Sequence, residues 1–274
     1  TNYEPALLFS DGDWWMDYKK WRTLPFLSWA LNNAANKDEL VFNDRWGKVR
    51  GKHGGYYTTE YGSGFADGTI PWEENRGIGM SFGINRIENI DDYRTDKELI
   101  FMLIDIVSRG GNLLLNIGPN ADGTIPVIMQ QRLIEIGNWL SVYGEGIYDT
   151  KQWIKDAQWS SGMIPSFTKN DFHAGFPIYE MTINPKMGNA VKEFWFTKKQ
   201  NNLYVFAPEW PKNINILIKD VKTTNKTEVK LMGCEKSLPY KETIDGIVID
   251  ISSITINDLK SQYVFGFKVS NVEE

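Results

Sequence analysis

The chain of 274 residues has few of the residues that build disulfide frameworks, metal sites or membrane spans. Its single cysteine, Cys234, excludes an internal disulfide and leaves the cellular compartment open. The two histidines, His53 and His173, argue against a dedicated zinc site because no cysteine pair accompanies them. No apolar run reaches the roughly 18 residues needed to span a bilayer. We therefore expect no metal, no cofactor and no membrane insertion.

Basic residues are too few for a surface that binds nucleic acid. The 30 Lys and Arg residues are outnumbered by 35 Asp and Glu, so the net charge is −5. Without a basic stripe to neutralise phosphates, nucleic acid is not an expected partner. Aromatic residues are abundant instead, with 11 Trp, 12 Tyr and 14 Phe. Part of this excess belongs to the core, and a Trp-rich ligand cleft would account for the rest.

The first half of the chain, up to about residue 150, alternates short apolar strands with helical periodicity. This pattern predicts βα units around a mainly parallel sheet. A capping box at Thr95 and Glu98 begins the best-marked helix, which ends before Gly110. The other expected elements are a helix at 25–33, a helix at 128–143, strands at 6–10, 39–43 and 77–83, and a fully buried strand at 112–116.

The second half has an all-β pattern. Short strands separated by turn residues predict a β-sandwich. They are expected at 191–197, 203–207, 214–219, 228–232, 247–251 and 263–269. We therefore divide the chain into an α/β domain at 1–150 and a β-sandwich domain at 151–274.

Two carboxylates carry the chemical prediction. Asp11 follows the first strand, at the end where βα barrels collect their active sites, and Glu73 follows Trp72 in a Gly- and aromatic-rich stretch. Such a pair can supply the nucleophile and the proton donor for glycoside cleavage. The simpler alternatives are a helix N-cap for Asp11 and a solvated surface acid for Glu73. The spacing alone does not decide between the catalytic interpretation and these simpler alternatives.

Neighbouring polar residues have alternatives of their own. Arg45 either pairs with an acid such as Asp44 or contacts a sugar hydroxyl and steadies the nucleophile. Glu60 and Asp67 compete with Glu73 for the role of acid, but the surrounding sequence is typical of solvated loops. We therefore favour Glu73.

Seven motifs together resemble one family, the retaining α-L-fucosidases of glycoside hydrolase family 29. They occur in the family's order at 9–14 (FSDGDW), 43–47 (NDRWG), 53–57 (HGGYY), 72–73 (WE), 81–86 (SFGINR), 107–119 (VSRGGNLLLNIGP) and 144–148 (GEGIY). In combination they are highly specific and cover most of residues 6–150. The region after residue 150 resembles the family's C-terminal β-sandwich only loosely.

The resemblance implies a metal-free, exo-acting retaining α-L-fucosidase. It implies Asp11 as the nucleophile and Glu73 as the general acid/base. It also implies that Arg45 and the neighbouring Trp46 contact substrate, and that Phe9 forms an aromatic wall. The expected substrates are fucosylated glycans. Family members are often periplasmic, secreted or lysosomal, and the sequence does not choose among these.

The resemblance also implies a partial fold. A complete (β/α)8 barrel needs about 250 residues, whereas the α/β part here is expected to hold only the C-terminal half of one. The alternatives are a fragment, a short form completed by homo-oligomerisation, or an inactive remnant. We favour the first two because both carboxylates are retained. The rival functions are a catalytically silent glycan-binding module and a structural half-domain of a larger complex.

Overall fold

The computed structural model describes residues 3–48, 55–62, 64–65, 68–165 and 177–273. Its first half contains a row of parallel strands whose spatial order follows the sequence. They are β1 (Leu7–Leu8), β2 (Val41–Phe42), β3 (Tyr57–Glu60), β4 (Trp72–Gly77) and β5 (Gly111–Asn116). β1 pairs with β2, and β3, β4 and β5 form a three-stranded sheet. A parallel bridge between Asn43 and Tyr56 joins the two groups.

Helices connect and cover these strands. They are α1 (Thr23–Asn33), α2 (Asp96–Ser108) and α3 (Val127–Tyr143). α1 lies between β1 and β2 in the chain and buries Leu27 and Ala30 against Phe42. The capping box predicted at the start of α2 is confirmed, because the Thr95 hydroxyl accepts the Glu98 N–H and the Glu98 carboxylate accepts the Thr95 N–H. These βα units make the first half a partial barrel.

Two strand predictions need correction, and one strand was not predicted. The strand expected at 77–83 lies earlier, at β4, because Gly77 ends the ladder. β3 was not predicted, because Tyr-Thr-Thr-Glu carries little apolar signal. The strand expected to be fully buried, now β5, exposes Leu114 by 45%. Leu114 lies on the face opposite to that of Leu115, which packs against Leu99 of α2 and Met129 of α3.

The second half is a β-sandwich of two antiparallel sheets. A five-stranded sheet has the order β10-β13-β8-β7-β6, and a three-stranded sheet has the order β11-β12-β9. The strands are β6 (Lys151–Trp159), β7 (Lys192–Lys199), β8 (Asn202–Ala207), β9 (Asn215–Lys219), β10 (Thr223–Leu231), β11 (Tyr240–Thr243), β12 (Gly246–Asp250) and β13 (Phe265–Val272). The hairpin predicted around the turn at residue 200 is confirmed as β7 and β8.

One core joins the two halves. Phe101 of α2 packs edge-on against Trp195 of β7, with ring centroids 5.3 Å apart. Trp139 of α3 packs against Phe206 of β8 at 5.9 Å. The sandwich covers the outer side of α2 and α3, so the two halves share one buried interior. The domain division at residue 150 remains a prediction. The fold is thus α/β, a partial (β/α)8-like barrel followed by a β-sandwich.

Candidate active site

The segment after β1 is fixed to the end of β2 by an amide clamp. The Ser10 N–H donates to Oδ1 of Asn43 at 3.1 Å, and Nδ2 of Asn43 donates to the Ser10 carbonyl at 2.7 Å. Asn43 is completely buried, so the clamp is held firmly. Asp11 comes next in the chain, with 57% of its side chain exposed. The fold therefore presents the predicted nucleophile at the carboxyl end of a strand, on a fixed backbone.

Arg45 is the buried centre of the site, with only 1% of its side chain exposed. Its Nη1 donates to Oδ1 of Asp11 at 3.0 Å and is also ion-paired with Glu60. Its guanidinium lies over the Phe9 ring, 5.4 Å from the centroid. Burial alone would lower the pKa of Arg45, but the charges of Glu60 and Asp11 raise it. Three of the predicted residues, Phe9, Asp11 and Arg45, are thus brought together.

Thr58 of β3 orients Arg45. Nε of Arg45 donates to Oγ1 of Thr58 at 2.7 Å, and that hydroxyl donates to Oδ1 of Asp44, also at 2.7 Å. The Thr58 N–H donates to the same Asp44 oxygen at 3.1 Å. Asp44 therefore does not pair with Arg45 directly. It fixes the threonine that holds the guanidinium.

Glu73 lies on β4, where the register pairs it with Thr58. Directly opposed residues of neighbouring strands share a face of the sheet, so Glu73 faces the same side as the residue that holds Arg45. Burial raises the pKa of Glu73, and the amide of Asn75 and the charge of Arg45 only partly oppose this shift. Its Oε1 is buried and has no hydrogen-bond partner among the described residues. This environment favours a protonated carboxyl.

Glu60 is a site residue that the sequence interpretation ranked too low. It is the last residue of β3, only 20% exposed, and the expectation of a solvated loop was wrong. Its position two residues after Thr58 places it on the same face. Tyr-Tyr-Thr-Thr before it is rich in aromatic and β-branched residues, and this was the available signal for a strand. Asp67 and His53 lie outside the described residues.

Trp46 borders a cavity beside Asp11. Its ring stacks on Phe26 of α1 at 5.5 Å and meets Phe42 edge-on at 5.9 Å. The cavity has a volume of about 170 Å³ and is lined by Ser10, Asp11, Asp13, Trp21, Thr23, Phe26, Arg45 and Trp46. This volume is smaller than the roughly 300–1,000 Å³ of pockets that bind drug-sized ligands. The cavity therefore suits a small polar ligand with an apolar face.

Several buried polar atoms of this region have no hydrogen-bond partner within the described ranges. They are Nη2 of Arg45, Nε1 of Trp46 and the hydroxyl of Tyr56. Burial, together with the charges of Glu73 and Asp44, raises the pKa of Tyr56 to about 12, so its hydroxyl remains a donor. Unpaired buried donors are costly. A ligand with several hydroxyl groups would satisfy them.

Neither a metal nor a membrane is indicated by the part of the chain that the structure describes. Within it, no group of three or more His, Cys, Asp or Glu side chains is arranged to hold a metal ion. None of its helices has the length and apolar character required to cross a bilayer.

Residues 1–145 match the sequence profile of the family described as "Alpha-L-fucosidase", and residues 188–270 match its C-terminal domain. The chain belongs to the α-L-fucosidase family. The family resemblance inferred from the motifs is confirmed, and so is the partial barrel with a C-terminal sandwich.

The α-L-fucosidase relatives are similar along the whole of this chain. The "Alpha-L-fucosidase" of Dictyostelium discoideum is 35% identical over 283 residues, which span 100% of this chain and 54% of the relative. The human "Tissue alpha-L-fucosidase" is 32% identical over 279 residues, spanning 100% of this chain and 53% of that protein. The chain therefore spans about half the length of these curated relatives.

Solved structures agree with the fold. The α-fucosidase of Thermotoga maritima, in complex with a mechanism-based inhibitor, superposes with a TM-score of 0.71 at 28% identity. The match covers 98% of this chain and 53% of that one.

Proposed function

We propose that this chain carries the catalytic carboxylates of a retaining α-L-fucosidase that acts on fucosylated glycans. The observation that supports it best is the shared guanidinium of Arg45, which contacts both Asp11 and Glu60. It brings the exposed carboxylate of Asp11 next to the carboxylate of Glu60, and glycoside cleavage uses two carboxyl groups at one site. The names of the family and of its relatives support fucosides as the substrates.

In the first step, a carboxylate oxygen of Asp11 attacks the anomeric carbon of an α-L-fucoside. The bond from that carbon to the glycosidic oxygen breaks as the general acid gives its proton to the departing oxygen. In the second step, the resulting carboxylate takes a proton from water, whose oxygen attacks the anomeric carbon and releases Asp11. The contact at 3.0 Å from Nη1 of Arg45 orients the Asp11 carboxylate for attack.

Glu73 is our proposed general acid/base, because burial raises its pKa, as the role of proton donor requires. Glu60 is a second candidate, favoured by its place at the carboxyl end of β3 and by its contact with Arg45. It also lies one strand nearer to Asp11 in the row. Retention requires the working pair to lie roughly 5–5.5 Å apart.

Phe9, Arg45 and Trp46 are proposed to bind the sugar. Phe9 presents an aromatic surface beside Asp11, and 40% of it is exposed. Nη2 of Arg45 and Nε1 of Trp46 are donors without a partner among the described residues, which suits them to fucose hydroxyls. We propose that a second chain or an upstream half-barrel supplies the remaining wall of the site.

Release of nitrophenol from nitrophenyl α-L-fucoside tests the proposal. Asp11→Gly is expected to lower kcat/KM by about 10⁴-fold or more, as loss of a nucleophile does. Asp38→Asn is the matched control, because Asp38 is an exposed aspartate outside the site. Wild-type activity of Asp11→Gly would refute the assignment. Fucose binding without turnover by the assembled protein would support a silent glycan-binding module instead.

Azide rescue separates the roles of the three carboxylates. Azide fills the space left in Asp11→Gly and attacks from the nucleophile's side, so the product should be β-fucosyl azide. With the acid/base removed, azide attacks the glycosyl-enzyme from the opposite side and gives α-fucosyl azide. We expect α-fucosyl azide from Glu73→Gln, together with a loss of about 10²–10⁴-fold in kcat/KM. If Glu60→Gln gives it instead, Glu60 is the acid/base.

A further inference from the structure

A buried polar relay connects the β-sandwich to α2. It begins at Lys192 of β7, whose Nζ donates to Oδ1 of Asp105 at 2.8 Å and to Oδ2 of Asp156 at 2.7 Å. The indole N–H of Trp195, on the same strand, donates to the same Asp105 oxygen at 3.0 Å. Lys192 and Asp105 are both buried, so water does not screen these contacts.

The relay continues from Asp105 to Arg109, one helical turn further along the chain. Oδ2 of Asp105 accepts from Nε of Arg109 at 3.0 Å and from Nη2 at 2.8 Å. The guanidinium of Arg109 then lies over the Trp72 ring, 5.2 Å from its centroid. Its Nη1 also donates to the backbone carbonyl of Phe65.

The relay ends on the segment between Glu60 and Glu73. Phe65 lies in that segment and packs edge-on against Trp72 at 5.9 Å, and Trp72 directly precedes Glu73. The Trp72 ring is tightly enclosed, since a Cβ added at Gly111 would lie 2.3 Å from it. Arg109 therefore contacts Phe65 and Trp72, both within the stretch of chain that joins the two candidate acids.

A second contact from the sandwich reaches the same segment. The Gly68 N–H donates to Oε1 of Gln152, on β6, at 3.1 Å. Gly68 also lies so close to Gly110 that a Cβ at Gly110 would be 2.6 Å from its Cα. The segment thus rests on the end of α2 and on the sandwich together.

Packing alone does not require these charges. Buried ion networks of this kind are often no more stabilising than apolar residues of the same volume. The apolar contact between Phe101 and Trp195 already joins α2 to β7. The relay adds a defined geometry. Oδ1 of Asp105 accepts only from the β7 residues Lys192 and Trp195 among the hydrogen bonds described above, and Oδ2 accepts from Arg109.

We propose that Asp105 and Arg109 are positioning residues for the acid/base step, and that Lys192 and Trp195 make the β-sandwich part of the catalytic apparatus. The inference rests on the proposed function and deepens it. The sandwich acts through the relay without touching substrate. It holds for either candidate acid, because the segment that the relay fixes joins Glu60 to Glu73.

The test compares substrates that need a proton donor with substrates that do not, in the preparation whose activity depends on Asp11. Lys192→Met keeps much of the apolar stem and removes the charge. It should lower kcat/KM for phenyl α-L-fucoside by about 10–100-fold, the range that small misplacements cause. For the dinitrophenyl fucoside, whose leaving group needs little protonation, we expect almost no change. Lys192→Arg should restore most of the activity.

Thr197→Val is the matched control. Thr197 is also buried on β7, and its hydroxyl donates to the Gly146 carbonyl at 2.6 Å, outside the relay. It should lower stability without discriminating between the two fucosides. If Lys192→Met slows both substrates equally, or slows neither, the positioning role is overturned. If Lys192→Met fails to fold, Trp195→Phe, which removes the indole donor, decides by the same comparison.

Amide hydrogen exchange separates this inference from the proposed function. Lys192→Met should lose exchange protection at residues 64–65 and 68–72, and Thr197→Val should keep it. If the wild type has no fucosidase activity, the proposed function fails, while a loss of protection still supports the mechanical link. Unchanged protection in Lys192→Met refutes the relay whatever the activity.

Discussion

Arg45 defines the candidate site at the scale of single residues. It is a buried cation that contacts two carboxylates and a threonine hydroxyl, and it retains one buried N–H group without a partner in the described ranges. The two acids offset the cost of burying its charge. The remaining donor is suited to recognise a hydroxyl group on the ligand. Lysine, with a single ammonium group, could not make these contacts together.

Asp105 should make stability depend on acid pH. Burial alone would raise its pKa, but Lys192 and Arg109 lower it from 3.8 to about 2. A carboxyl with a lowered pKa in the folded state stabilises the protein above its unfolded pKa, and this contribution disappears as the pH falls towards the folded pKa. We expect the free energy of unfolding to fall by about 2 kcal/mol between pH 4 and pH 2 on this account.

Urea unfolding measured from pH 6 to pH 2 checks this expectation. Asp105→Asn should be less stable near neutral pH, because Lys192 and Arg109 lose the buried carboxylate that they share. The free energy of unfolding of this variant should also decline less steeply below pH 4, because the variant lacks the titrating carboxyl group. Parallel curves for the variant and the wild type would contradict the assignment.

At the scale of elements, β4 shows why polar strands escape sequence patterns. Glu74 and Arg76 alternate with Glu73 and Asn75, and both are buried. Glu74 accepts from the Gly62 N–H at 3.1 Å and from Nε of Arg76 at 3.1 Å. A strand of charged residues is stable here because neighbouring segments supply the partners. Its sequence alone is typical of a solvated loop.

A pair of glycines tests the tight packing around β4 and β5. In Gly111→Ala, the new Cβ would lie 2.3 Å from the Trp72 ring, so we expect a loss of about 1–3 kcal/mol or more in unfolding free energy. In Gly137→Ala on α3, the new Cβ meets open space, and a gain of about 1 kcal/mol is expected from helix propensity. Urea denaturation measures both. Similar effects of the two substitutions would show that the Trp72 ring moves to make room for the new Cβ.

At the scale of the whole molecule, the row of five parallel strands exposes apolar side chains, within the described residues, on the face turned away from the helices. Leu7, Val41 and Leu114 are each 44–45% exposed, and the register places the pairs Leu7–Val41 and Asn75–Leu114 on common faces. Parallel sheets are normally covered on both faces. We expect this face to be covered in the active protein.

Association of the chain should therefore depend on this face. Val41→Lys with Leu114→Lys should shift the population towards monomer and lower any activity that depends on Asp11, because a charged side chain opposes apolar contact. Ile154→Lys, on the exposed surface of β6, is the control and should change neither. Light scattering provides the measurement. A fully active wild-type monomer would argue against completion by a partner.

Local signals were sufficient for much of the fold. The capping box before α2, the apolar periodicity of α2 and α3, and the turn between β7 and β8 predicted their elements within a few residues. These features depend on residues close in sequence, whose spacing decides the outcome. The prediction that Asp11 and Arg45 share a site also came from the sequence, through motifs specific to the family.

Only the tertiary structure revealed the burial of Glu60 and the relay through Asp105. Each depends on partners far away in the chain, such as Lys192, which lies 87 residues from Asp105. A charged residue can be buried only where folding brings its counterion to it, and no local pattern records that pairing. The amino-acid order therefore specified helices, turns and family, whereas the electrostatic surroundings of the acids were decided by the way the sandwich and the strand row pack together.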